Sequence, residues 1–252
     1  MIPIADSIPH RRPPVMLYLI IIINVAVFFF EIHLPSSLQK AFFLNYGFVS
    51  ARWTLAVQIF HIPWLTWATT TIFTSMFMHG GWVHLLGNMW MLWIFGDNVE
   101  DRMGPFGFLT FYLFCGTIAA LTQAYFYPTA HIPTVGASGA ISGVLGAYFM
   151  LYPFSRVVTL IPLFIWPLFI ELPAVLFIGI WAWLQFYSGT LDLAFPGLVG
   201  NVAWWAHVGG FAAGLISYRW FVSRRNLRSP YIDEWGPSGS FVKHRNPWRC
   251  LL

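Results

Sequence analysis

Six apolar stretches, at about 15–31, 82–97, 107–127, 136–153, 172–188 and 202–222, are long enough to cross a bilayer or close to it. A helix inside lipid satisfies its own backbone hydrogen bonds, so a chain with this many such stretches has few folds open to it. Composition agrees: 58% hydrophobic and 9% charged residues, with 25 Phe and 14 Trp among 252, leave too little polar surface for a soluble globule. The reading is an all-α polytopic membrane protein, a bundle of six transmembrane helices. The segment 157–170 is also apolar, but Pro162 and Pro167 interrupt it, so it is read as an irregular lead into the fifth span. The first span runs into Phe28, Phe29, Phe30 and Glu31 with no small-residue cleavage pattern behind it, which argues against a cleaved signal.

Basic residues set the orientation, because cytoplasmic loops retain Lys and Arg. Arg11 and Arg12 precede the first span, Arg102 separates the second from the third, Arg156 follows the fourth, and Arg219, Arg224, Arg225, Arg228, Lys243, Arg245 and Arg249 cluster at the end. Only Lys40 and Arg52 fall on the other side, so eleven of the 13 basic residues fit six spans with both termini cytoplasmic. The net charge of +4 is that bias and calls for no nucleic-acid partner. The chain divides into a cytoplasmic head, 1–14, a membrane domain, 15–222, and a basic tail, 223–252. Within the membrane domain the connection 32–78 is rich in Phe, Trp and Thr, and is expected to lie in the interface as half-buried helical pieces. Two cysteines, Cys115 and Cys250, make no disulfide framework or thiolate metal site, so redox chemistry is not the expected theme.

Polar side chains are expensive within spans and mark function. His84 and Asn88 are four apart in "HLLGN" and share a helix face, Ser138 opens the fourth span and His207 opens the sixth. Spans two, four and six run in the same direction, so these side chains fall at similar depth, in the outer half of the membrane. Gly139 and Gly143 on span four, and Gly210 and Gly214 on span six, are small-xxx-small pairs that allow close backbone approach in lipid. Such packing brings the Ser138 hydroxyl within reach of the His207 imidazole, the arrangement that activates a weak alcohol. Span four is short, so a water-filled recess above Ser138 would supply hydrolytic water. His84, Asn88 and the amides of that helix start could then stabilise an oxyanion. The acids Asp97, Glu100, Asp101, Glu171 and Asp192 do not fall beside His207, which favours a Ser-His dyad over a triad.

Four segments in order, "HGGWVHLLGN", "GDNVEDRMG", "GASG" and "AHVGGFAAG", resemble the rhomboid intramembrane serine proteases over roughly residues 71–218. The resemblance implies Ser138 as nucleophile and His207 as general base and then acid. It implies an oxyanion hole of Asn88, His84 and the Ser138 amide, no metal or cofactor, and transmembrane protein substrates cut near the outer surface. It further implies that 32–78 is a partly embedded first loop, and that span five and the loop after it gate substrate access. Two positions depart from the family pattern. The Trp-Arg pair of the first loop is absent from "WATTTIFTSMFMH", and Ser142 stands where some members carry a tyrosine stacked on the imidazole. Either another side chain supports His207 or its ring is less constrained. His79 is read as shaping the loop, Ser142 as packing, and Glu100, Arg102 and Gly104 as a cap or turn on the opposite face. The competing readings are a catalytically silent rhomboid-fold protein that binds membrane clients, and a small transporter. The first is disfavoured by the presence of both Ser138 and His207, the second by the scarcity of charge through the spans. The absence of a transit-peptide pattern and the short head suit a prokaryotic plasma membrane, with an organelle membrane as the alternative.

Overall fold

A computed structural model describes residues 1–9, 12–163, 166–200 and 202–222. The predicted tail, 223–252, and Arg11 lie outside the described residues. Among the described residues six helices pack as the bundle: α1 (Val15–His33), α5 (Trp82–Met103), α6 (Pro105–Phe126), α7 (Ser138–Leu151), α8 (Ala174–Ala194) and α9 (Trp204–Phe221). Of these, α1, α6 and α8 are long and apolar enough to cross a membrane by themselves. The other three differ for a reason that bears on function. Helix α7 has only 14 residues, and α5 and α9 carry the polar and glycine positions singled out above. Accordingly α7 is the most enclosed helix, with every residue from Gly139 to Tyr148 buried, packed between α6 and α9 and against α5. The chain is an integral membrane protein with a mostly helical fold.

The connection 32–78 folds into α2 (Ser36–Tyr46), α3 (Ser50–Gln58) and α4 (Ile62–Ser75). Helix α2 buries none of its residues, and Phe60 and Trp64 present 74% and 51% of their surfaces, so this layer offers apolar side chains outward. The Arg52 guanidinium sits 4.3 Å from the centroid of the Trp67 ring and donates to the Leu44 carbonyl at 2.8 Å, tying α3 to α4 and α2. An Arg–Trp pair therefore does brace this layer. It was hidden in the sequence because its members are fifteen positions apart and meet only when α3 folds back on α4.

At the other end of the bundle, the tight turn between α5 and α6 is made by Gly104, whose φ of +76° favours a residue without Cβ. Glu100, one turn earlier, accepts from the amides of Met16 and Leu17 at 3.0 and 2.7 Å. Those amides open α1 and have no partner inside their own helix, so the carboxylate is an N-cap supplied 84 residues away.

The all-α expectation requires correction. Strands β1 (Ile2–Asp6), β2 (Arg156–Leu163) and β3 (Trp166–Pro173) form an antiparallel sheet in the order β1-β2-β3. The segment read as an irregular lead is a hairpin, and part of the predicted head is its third strand. The prolines that rule out a helix are compatible with this sheet. Pro162 lies opposite Pro167, beyond the last β1 partner, Leu160, where β2 has a neighbour on one side only. Val157, Val158 and Ile161 of β2 and Phe169 and Ile170 of β3 suit a pleated surface. Strand β1 is held against α5: Trp90 Nε1 donates to the Pro3 carbonyl at 2.6 Å and Asn98 Nδ2 to Asp6 Oδ2 at 2.9 Å. The Tyr148 hydroxyl of α7 donates to the same carboxylate.

Candidate active site

Glycine governs how closely α7 and α9 approach. A Cβ built on Gly210 would fall 2.0 Å from the Gly139 carbonyl oxygen, and one on Gly214 would fall 2.0 Å from that of Gly143. Both are backbone atoms that no rotamer change can remove, so the helices touch main chain to main chain. On its other side α7 is equally tight against α6, where a Cβ on Gly143 would strike Cys115 and one on Gly139 would strike Ala119. The four glycines named from spacing all lie on these contact lines.

Ser138 is the first residue of α7 and His207 lies in the first turn of α9, so the contact brings them together. Ser138 Oγ donates to His207 Nε2 at 2.8 Å. The opposite ring nitrogen, Nδ1, donates to Gln185 Oε1 on α8, also at 2.8 Å. Trp181 and Trp204 flank the ring, each with its centroid 6.2 Å away. Ser142, at the position of the missing tyrosine, instead donates to the Ser138 carbonyl at 2.6 Å, and the support for His207 comes from α8.

Facing them is the start of α5. A Cβ on Gly136, two residues before Ser138, would fall 2.6 Å from His84 Nε2 and 3.5 Å from Asn88 Nδ2. Gly136 thus admits both side chains and holds a φ of +126° that other residues rarely adopt. Its amide donates to the Ser75 carbonyl at 2.9 Å, and the reciprocal Phe48–Thr134 backbone pair secures the same loop to the α2–α4 layer. Asn88 Nδ2 donates one hydrogen to His79 Nε2 at 3.0 Å and keeps the other, which fixes the orientation of its amide. His79 is 1% exposed and its own amide donates to Glu31 Oε2 at 3.2 Å. His79 is therefore joined to the candidate site through Asn88.

Ser138, His207, His84, Asn88 and Gly136 line one cavity of about 760 Å³, together with Gln123, Tyr127 and Asp192. Asp192 is occupied elsewhere: it accepts from the Tyr127 hydroxyl at 2.5 Å and the Gly197 amide at 3.1 Å. Gln123 Oε1 accepts from the Ala206 amide at 3.2 Å, satisfying a donor at the buried start of α9. Gln185 and Gln123 were missed in the sequence although each is a polar group inside an apolar span, the signal that marked Asn88. Chemically, the arrangement offers a hydroxyl bonded to an imidazole, with amide and imidazole donors opposite, in a cavity large enough for an extended peptide segment and water.

The Rhomboid domain family matches residues 66–225 of this chain. Over 220 residues the chain is 27% identical to Rhomboid protein 1, mitochondrial, of Saccharomyces cerevisiae, covering 84% of this chain and 55% of that protein. It is 42% identical over 71 residues to Rhomboid-like protein 11, chloroplastic, of Arabidopsis thaliana, covering 28% and 25%. It is 40% identical over 76 residues to Rhomboid protease GluP of Bacillus subtilis, covering 30% and 14%. The chain spans about half the length of the yeast relative and a quarter or less of the other two. Their names include two organelles and one bacterium, which lends the prokaryotic plasma membrane no particular support.

Proposed function

The chain belongs to the rhomboid family, and from that premise we propose that it is an intramembrane serine endopeptidase acting on transmembrane protein substrates. The observation that carries the reading is the 2.8 Å hydrogen bond from Ser138 Oγ to His207 Nε2, facing a cavity that His84 and Asn88 share. In the proposed reaction, Ser138 Oγ attacks the scissile carbonyl carbon as its proton passes to His207 Nε2. The carbonyl oxygen becomes an anion stabilised by Asn88 Nδ2, His84 Nε2 and the Ser138 amide at the start of α7. Collapse breaks the C–N bond, and Nε2–H returns the proton to the leaving nitrogen. Water then enters, loses a proton to Nε2 and attacks the ester, and the released Ser138 oxygen takes that proton back. The short α7 favours this chemistry, since it leaves the start of the helix below the membrane surface. The six long helices are proposed to cross the bilayer in alternation, with both termini cytoplasmic and cleavage in the outer half.

The test is cleavage of a single-span substrate by the full chain in liposomes, comparing wild type with Ser138→Ala and His207→Ala. Cleavage by wild type and by neither folded variant is expected. Cleavage by Ser138→Ala would overturn the nucleophile, and a wild-type protein that cuts no substrate but retains bound ones would favour the client-binding reading.

A further inference from the structure

The Gln185 amide is oriented from both ends. Its Nε2 donates to the Trp181 carbonyl one turn back on α8 at 3.2 Å, which turns Oε1 toward His207 Nδ1 at 2.8 Å. An amide oxygen only accepts, so Nδ1 carries the ring proton. A neutral imidazole protonated there has its lone pair on Nε2, the nitrogen that receives the Ser138 hydroxyl. The donors therefore run in one direction, from Ser138 through His207 and Gln185 to a backbone carbonyl. We infer that Gln185 is the positioning residue of this site, holding His207 in the tautomer and orientation that aim Nε2 at Ser138, the role a carboxylate has in a Ser-His-Asp arrangement. The inference rests on the proposed protease function and deepens it.

Placement supports the role. Gln185 is 8% exposed, and a neutral amide there costs far less to bury than an ionised carboxylate. One turn further along α8, a Cβ on Gly189 would lie 3.2 Å from the Trp205 ring, so α8 approaches α9 closely beside the Gln185–His207 contact. The one acid of α8, Asp192, is committed to Tyr127 and Gly197. Among the described residues the other titratable groups lining the cavity are His84 on α5, Tyr127 after α6 and Asp192 on α8, and substituting Gln185 changes none of them.

The experiment measures kcat and KM for a single-span substrate across a pH range, in liposomes, for wild type, Gln185→Leu, Gln185→Glu and Ser138→Ala, with the unfolding midpoint of each. Gln185→Leu is expected to lower kcat about tenfold, the rate equivalent of one net hydrogen bond, with KM unchanged and a small fall in the unfolding midpoint because Nδ1–H loses its acceptor. Gln185→Glu, which restores an acceptor, is expected to recover most of kcat. The inference is overturned if Gln185→Leu keeps kcat within twofold of wild type. It is equally overturned if Gln185→Glu is slowed as much as Gln185→Leu, which would make Gln185 a packing residue. Cleavage by Ser138→Ala would instead sink the protease mechanism itself, so the two failures are distinguishable.

Discussion

Replacing Gly210 by alanine tests whether helix contact sets the chemistry. The new Cβ would lie 2.0 Å from the Gly139 oxygen and 3.0 Å from its carbonyl carbon, whereas ordinary contact begins at 3.4 Å. Neither atom can turn aside, so α9 must withdraw from α7 by about 1.4 Å along that line. Gly139 adjoins Ser138, and Gly210 lies about one turn from His207, so most of this displacement reaches the Ser138–His207 pair. A separation of 2.8 Å would become roughly 4 Å, outside hydrogen-bond range. Overpacking of this kind costs about 1–3 kcal/mol of stability, and a misplacement near 1 Å at a reacting group costs about a hundredfold in rate. The assay is kcat/KM on a single-span substrate in liposomes, with the unfolding midpoint as companion. Gly87→Ala is the control: nothing lies within 4 Å of its added Cβ, and alanine in a helix interior gains up to about 1 kcal/mol. Full activity and an unchanged or higher midpoint are expected for it. If Gly210→Ala cleaves within threefold of wild type, the argument that backbone contact holds the serine and histidine together is wrong.

Two further outcomes follow from the same geometry. Asn88→Ala removes a proposed oxyanion donor and should lower kcat by about 10²- to 10³-fold with little change in KM, measured by steady-state cleavage. Glu100→Gln exchanges a charged acceptor of two α1 amides for a neutral one and should cost about 1–2 kcal/mol in equilibrium unfolding, leaving the kcat of the folded fraction unchanged.

Local order was legible because its causes are local. Long apolar runs specify helices wherever they sit, and glycine at 104 with positive φ ends one helix and begins the next within a few residues. The four-residue spacing of His84 and Asn88 places both on one face of α5 before any tertiary contact exists. Glycines four apart on spans four and six likewise announce a close contact between those two helices. The sheet was not legible, since pairing Ile2 with Leu160 joins segments whose proximity depends on the whole bundle lying between them. Strand propensity in 157–170 is visible only once proline has excluded the helix and a neighbouring strand is available to receive the backbone groups.

The candidate site divides in the same way. The sequence by itself determined which residues could act, because serine, histidine and asparagine inside apolar helices stand out against their surroundings whatever the fold. The glycine pairs also announced that Ser138 and His207 meet, and tertiary structure alone decided what else joins them. Gln185 reaches His207 from a third helix, His79 reaches Asn88 from the loop before α5, and Glu100 accepts from the amide of Met16, 84 residues earlier, at the start of α1. Each of these contacts depends on the rotation of a helix about its axis and its distance from its neighbours. Those quantities are set by the packing of all the side chains along an interface, and no local stretch of sequence encodes them.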